Sequence, residues 1–215
     1  MIRTLIVSGG NIGLSFFKEL ISNNEYNNII ASDKGLEILD KCKITPNYII
    51  GDFDSIDQNI LNKYINNSNI KIIKLNPIKD YTDTHMALKL AIDIKSLDIT
   101  IIGAIGTRVD HLLGNIHVLK EALDKKISCK ILNENNKIYL LNRETILKKE
   151  IEYPYISLIP LTTTVEGITL NGFKYNLNNE KMYIGQSLGV SNEQIEENAI
   201  IKIEKGILII IKSKD

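Results

Sequence analysis

Residues 1 to about 125 alternate short, near-continuous Ile/Leu/Val runs with stretches whose apolar residues recur at helical spacing. The runs are "TLIVS" (4–8), "NIIAS" (28–32), "NYIIG" (47–51), "KIIKL" (71–75) and "DITIIG" (98–103), and "SCKIL" (128–132) adds a sixth. Between them lie the helical patterns "LSFFKELI", "GLEILDKC", "IDQNILNKYI", "TDTHMALKLAIDI" and "DHLLGNIHVLKEAL". Strands apolar on both faces and separated by helices predict a parallel sheet covered on both sides. Beyond about residue 135 the rhythm changes. "KIYLL", "YISLIPL", "VEGITLNG", "MYIG", "SLGVSN" and "AIIKIEKGILIIIKS" follow one another without a helical pattern, which predicts an all-β sandwich. "EKG" before "ILIII" reads as a hairpin turn. The expected fold is therefore α/β, an N-terminal doubly wound, mostly parallel sheet followed by a C-terminal all-β sandwich, divided as residues 1–134 and 135–215.

Charge and composition narrow the function. Lys plus Arg and Asp plus Glu are both 26, giving zero formal net charge, which argues against a general binder of nucleic acid or membrane surfaces. Cys42 and Cys129 are far apart and read as buried free thiols rather than a metal pair. The opening "MIRTLIVSGG" reads as a first strand rather than a signal peptide, and no apolar run is long enough to span a bilayer. The cytoplasm is the expected compartment.

Polar residues gather after the strands, where open α/β sheets bind ligands. They are "SGGNIG", "SDKG", "GDFDS", "NPIKDYTD" and "GAIGTRVDH". In "GDFDS", Asp52 and Asp54 stand two apart, so on extended backbone they point the same way. Such a pair suits a hard cation such as Mg²⁺. The competing reading is a helix cap by Asp54 or Ser55, which explains one acid but not the apolar Phe53 between them. With a shared cation, Ser55 remains the expected cap and Phe53 packs on the opposite face into the core. Asp80 and Asp83 flank Thr82, a candidate helix cap, and acids there suit either a first helical turn or a shared metal. In "GAIGTRVDHLLGN", Gly103 and Gly106 permit close approach of backbone to a ligand, and Arg108 offers a fork for phosphate. Asp110 reads as the cap of a helix with the apolar stripe Leu112, Ile116, Leu119 and Leu123. His111 is a ligand, a proton-handling group or a structural residue. "SGGNIG", with Asp33 as a ribose-binding acid, raises a rival NAD(P)-dependent oxidoreductase reading, but hydride transfer leaves the four acids Asp52, Asp54, Asp80 and Asp83 unexplained. A third reading is a non-catalytic ligand-binding module that uses the all-β unit.

Taken in order, "SDKG", "GDFDS", "KDYTDTHMAL", "GAIGTRVDHLLGN" and "SLGVSNE" resemble the thiamine pyrophosphokinase family over nearly the whole chain. Lys34 and Thr107 depart from glycines common at those positions. The resemblance implies transfer of a pyrophosphoryl group from ATP to thiamine, with ATP as co-substrate and Mg²⁺ as cofactor. It implies Asp52, Asp54 and Asp83 as metal ligands and Asp52, Asp54, Asp80, Asp83 and Arg108 as the catalytic set. Asp33, Thr82, Arg108, Asp110, His111 and Asn115 would shape the nucleotide site, and Ser191 and Asn192 would meet thiamine. It also implies a homodimer. The chain has no Trp, so another residue must stack on the thiamine rings.

Overall fold

The computed structural model describes residues 1–76 and 80–215 and divides into two compact units, Met1–Glu134 and Asn135–Asp215. In the first, strands β1 (Arg3–Val7), β2 (Asn28–Ser32), β3 (Tyr48–Gly51), β4 (Lys71–Lys74), β5 (Asp98–Ile102) and β6 (Ser128–Leu132) alternate with helices. The helices are α1 (Leu14–Asn23), α2 (Gly35–Lys41), α3 (Gln58–Ile65), α4 (Asp83–Asp93) and α5 (Val109–Asp124). The strands lie in the order β6-β5-β1-β2-β3-β4, and every neighbouring pair is parallel. Helices on both faces explain the runs of buried residues: Leu5, Ile6, Val7, Ile30, Ile49, Ile99 and Ile101 are sealed from solvent. Phe17 of α1, Leu36 and Leu39 of α2 and Leu88 of α4 are sealed too.

The strand order reverses between β1 and β5, since the chain runs outward from β1 through β4 and returns to β1's other edge. At such a point the loops leaving the two strands diverge and open a crevice. Here they are locked at its floor. Ser8 N donates to Ile102 O and Gly10 N to Gly103 O, each at 2.9 Å. Gly103 has φ +68°, and a Cβ on Gly10 would stand 2.3 Å from Gly103 O. The close approach expected of this loop is therefore to its neighbouring loop.

The helix caps differ in part from expectation. Thr82 caps α4, accepting from His85 N at 3.2 Å. α3 is capped by Asp57, which accepts from Asn59 N at 2.8 Å, and by neither Asp54 nor Ser55. Asp110 is no cap either: Arg108 occupies the N-cap position of α5 and Asp110 falls in its first turn, where the dipole favours an acid. The buried stripe of α5 is Asn115, Ile116, Leu119 and Ala122. Leu112 and Leu123 are half-buried at its margins.

The second unit holds eight strands in two antiparallel sheets: β7 (Asn136–Leu141), β8 (Thr145–Lys148), β9 (Tyr155–Pro160), β10 (Thr164–Asn171), β11 (Leu177–Tyr183), β12 (Asn192–Glu193), β13 (Asn198–Lys202) and β14 (Leu208–Ser213). One sheet carries β12-β9-β14-β7 and the other β11-β10-β13-β8. Their inner faces share one core, with Leu158, Val165, Ile168, Phe173, Ile201 and Ile210 at its centre. The "EKG" segment is not a hairpin turn. β13 pairs with β10 and β8, whereas β14 pairs with β7 and β9, so the segment crosses from one sheet to the other. Glu166 and Lys205 form an isolated bridge along that path, which a two-strand reading of the pattern cannot reveal.

Both cysteines are free and half-buried rather than buried, Cys42 at the end of α2 and Cys129 in β6. Burial pushes the Cys129 thiol up to about 12. The thiolate is the reactive species, so a disulfide reagent at pH 8 is expected to modify at most Cys42 in the native protein and both thiols after denaturation. Mass spectrometry of the labelled protein checks this, and native labelling of Cys129 would contradict the raised thiol.

Candidate active site

The crevice between the β1 and β5 loops is a cavity of about 410 Å³, within the usual range for small-molecule sites. Three loops and the starts of two helices wall it. The β1 loop supplies Ser8, Gly9, Gly10 and Asn11; the β2 loop supplies Asp33 and Lys34. Thr82, Asp83 and Thr84 come from the start of α4, and Gly106 and Arg108 from the β5 loop. His111 and Asn115 project from the first turns of α5. Six residues singled out in the sequence therefore line one cavity: Asp33, Thr82, Asp83, Arg108, His111 and Asn115. Ser8, Asn11, Lys34 and Thr84 join them without a predicted role. Ser8 is buried and accepts from Thr84 Oγ1 at 3.0 Å, tying the β1 loop to α4. The only sequence signal for these four is their position in or beside the motifs.

Beside Asp33 stands the acid pair of "GDFDS". Carboxylate oxygens of Asp33, Asp52 and Asp54 lie within 4.8 Å of one another. The chain is not extended here, as the two-apart spacing suggests. Phe53 has φ +67°, so the backbone turns, and Asp54 N donates back to Asp52 Oδ1 at 3.3 Å. Phe53 itself is buried, and Gln58 Nε2 donates to its carbonyl at 2.9 Å. A buried ring and a side-chain bond to the carbonyl thus hold a left-handed aromatic residue, a conformation that costs on the order of 1–3 kcal/mol when unsupported. Among the described residues the acid group contains Asp33 in the place expected for Asp83. Asp83 still acts on it through charge. The Asp54 carboxyl is held above the ordinary aspartate range, first by its hydrogen bond with Asp52, then by the charge of Asp52, with smaller effects from Asp33 and Asp83.

Two features test whether these acids suit a divalent cation. Asp33 Oδ1 is buried and has no hydrogen-bond partner among the described residues, although buried polar atoms are nearly always paired. The raised Asp54 carboxyl reports repulsion that a cation would relieve. The set is all oxygen and all anionic, which fits a hard ion such as Mg²⁺.

The remaining assigned residues are less free than expected. Arg108 donates to Asp110 through Nε at 3.2 Å and a terminal nitrogen at 2.6 Å. That bond draws the Asp110 carboxyl down to about 2. Both are exposed, so the fork must exchange partners to meet a phosphate. Asn115 is buried and its amide nitrogen donates to Ala104 O at 2.9 Å, fixing the β5 loop on α5. Asp80 is exposed, three residues before Asp83. In the second unit, Asn192 is buried. Its amide donates to Tyr175 O at 2.7 Å and accepts from Tyr175 N and Glu193 N. That side chain is committed to the fold. Ser191 is exposed, with φ +56° and its amide donating to Ser157 Oγ.

Fold and site together define a class: a doubly wound α/β unit with an acid-flanked cavity at its switch point, joined in one chain to an antiparallel sandwich. No pyridine-nucleotide fingerprint is built here, because Asp33 is gathered into the acid group. The chain belongs to the thiamin pyrophosphokinase family. Residues 17–131 match the model of the thiamin pyrophosphokinase catalytic domain, and residues 143–208 that of the thiamin pyrophosphokinase vitamin B1 binding domain. A thiamine pyrophosphokinase of Bacillus subtilis is 35% identical over 86% of this chain and 87% of its own length. One of Arabidopsis thaliana is 31% identical over 79% of this chain, which spans 66% of the plant protein. The crystal structure of the thiamine pyrophosphokinase from Bacillus subtilis superposes with a TM-score of 0.90 at 32% identity, covering 99% of each chain.

Proposed function

We infer that the protein carries the activity of its family, transferring the pyrophosphoryl group of ATP to the hydroxyethyl oxygen of thiamine to give thiamine diphosphate and AMP. The observation that carries this reading is the Asp33–Asp52–Asp54 group at the edge of the switch-point cavity, set in a chain that matches the family over both units. The triphosphate lies along the cavity, with Lys34, Arg108 and the glycine-bordered loops facing it. Among the described residues Lys34 has no ion partner, whereas Arg108 is held by Asp110. Asp33, Asp52 and Asp54 hold Mg²⁺, with Asp83 adding charge from α4. A divalent ion held by these carboxylates would supply neutralisation of the phosphate charge. Thiamine's hydroxyl oxygen forms the new bond to the β-phosphorus. The bond from that phosphorus to the bridging oxygen breaks, and AMP departs with that oxygen. The hydroxyl proton passes to a nearby carboxylate. Alignment and charge neutralisation are what such a transfer asks of a protein. The vitamin B1 binding match over 143–208 supports a role for the second unit in recognising thiamine, with Ser191 on its surface. A homodimer and a cytoplasmic setting complete the proposal; among the described residues no helix is long and apolar enough to cross a membrane.

AMP release from Mg-ATP, measured with and without thiamine, tests the reading: release that needs both thiamine and Mg²⁺ supports it, and thiamine-independent or absent release refutes it. A pH dependence follows from Asp54. Its raised carboxyl means that the folded state holds this proton more tightly than the unfolded chain does, so metal-free stability falls as pH rises through the raised value. Mg²⁺ acts oppositely, because it needs the ionised form. The Mg²⁺-dependent rise in Tm is expected to shrink as pH falls, beginning above the ordinary aspartate value of about 3.9. Thermal melts in Mg²⁺ and in EDTA across this range check both signs, and an increment growing toward acid pH would contradict the assignment.

A further inference from the structure

The acid group has a support that neither the cap nor the ligand reading of "GDFDS" provides. Ser55 Oγ donates to Asp33 Oδ2. The hydroxyl is available because Asp57 caps α3. Asp33 is held from its backbone as well: its N–H donates to Ile50 O at 2.9 Å, and its φ is +49°. With one carboxylate oxygen taken by Ser55, the other, Oδ1, is buried without a partner among the described residues and belongs to a side chain grouped with Asp52 and Asp54. A carboxylate rotates about its last bond, and a bond to one oxygen fixes where the other points.

We propose that Ser55 is a positioning residue for the divalent cation: its hydroxyl fixes the Asp33 carboxylate so that the free oxygen faces the acid group. This rests on the cation reading above. The β2 and β3 loops are thereby coupled, since Ser55 stands on one and Asp33 on the other. A ligand carboxylate oriented by a neighbouring donor typically loses about 10–100-fold in metal affinity when that donor is removed.

The test is Mn²⁺ binding to the full-length protein without nucleotide, read by electron paramagnetic resonance of the free ion. Ser55→Ala is expected to weaken Mn²⁺ binding at least tenfold while leaving Tm in EDTA unchanged. Ser55→Thr, which keeps the hydroxyl, is expected to stay within a fewfold of the wild type. In an Asp33→Asn background, Ser55→Ala should add little further loss. Wild-type-like Mn²⁺ binding by Ser55→Ala would overturn the proposal, as would an undiminished effect in the Asp33→Asn background. A wild-type protein that binds no Mn²⁺ would overturn the cation reading as well, which separates the two failures.

Discussion

Asp52→Asn and Asp54→Asn are each expected to lower AMP formation from Mg-ATP and thiamine by about 10²–10³-fold or more, while the fold survives. Asn keeps the shape of Asp and removes the charge, so the loss reads the electrostatic contribution directly. Removing one preorganised electrostatic partner of a transition state costs rates of that order. The direction of the stability change separates this from damage. The Asp54 carboxyl is raised by Asp52 before any other cause, so neutralising either member relieves repulsion in the metal-free protein. Tm in EDTA should therefore hold or rise, and the Mg²⁺-dependent increment should shrink. Turnover within tenfold of wild type in either variant would remove these residues from the metal site.

The largest effect on stability is expected from Gly35→Ala. Gly35 opens α2 and is buried, and a Cβ there would stand 1.8 Å from Val7 O and 2.5 Å from Val7 C. Those are backbone atoms of β1, a central strand, and cannot swing aside as a side chain would. α2 cannot retreat either, because Leu36 and Leu39 are fully buried beneath it. Overpacking of this kind costs about 1–3 kcal/mol and occasionally more. With backbone on one side and anchored core on the other, a loss of about 3 kcal/mol or more is expected, or roughly 6–12 °C in Tm for a chain this long. Gly114→Ala is the control. Gly114 is exposed on α5 with nothing within 4 Å of where a Cβ would stand, and Ala is favoured over Gly in a helix by about 0.5–1 kcal/mol. Urea unfolding of both variants checks the contrast; equal stability would refute the clash.

Much of the first unit is legible in its sequence because its signals are local. Doubly buried strands write themselves as Ile/Val runs, and Thr82 before Asp83 marks its helix. The cavity is legible for a topological reason: in a parallel sheet all the loops carrying "SGGN", "SDKG", "TDT" and "GTRVDH" leave from one edge. What stays hidden is pairwise. Three capping candidates, Asp54, Ser55 and Asp57, crowd residues 54–57, and only geometry decides that Asp57 caps the helix while Ser55 turns to Asp33. Asp33 reads as a ribose ligand because its motif follows a strand, and its place among the acids depends on two left-handed residues, Asp33 and Phe53, that the pattern does not announce. In the second unit "EKG" has the composition of a hairpin turn, yet a change of sheet depends on partners far along the chain.

That change of sheet bears on how the protein is made. β14 lies between β7 and β9 but leaves the ribosome after both. Until it arrives, β7 has no strand partner within its unit and β9 offers an unpaired edge, while Leu208 and Ile210 are missing from the core. The first unit closes progressively, each strand docking beside one already made, β5 included, since it returns to β1. The sandwich closes only once β14 has emerged. Nascent chains stalled before residue 208 should therefore carry a finished α/β unit and an open, aggregation-prone sheet, a state in which chaperone demand falls on the second unit alone.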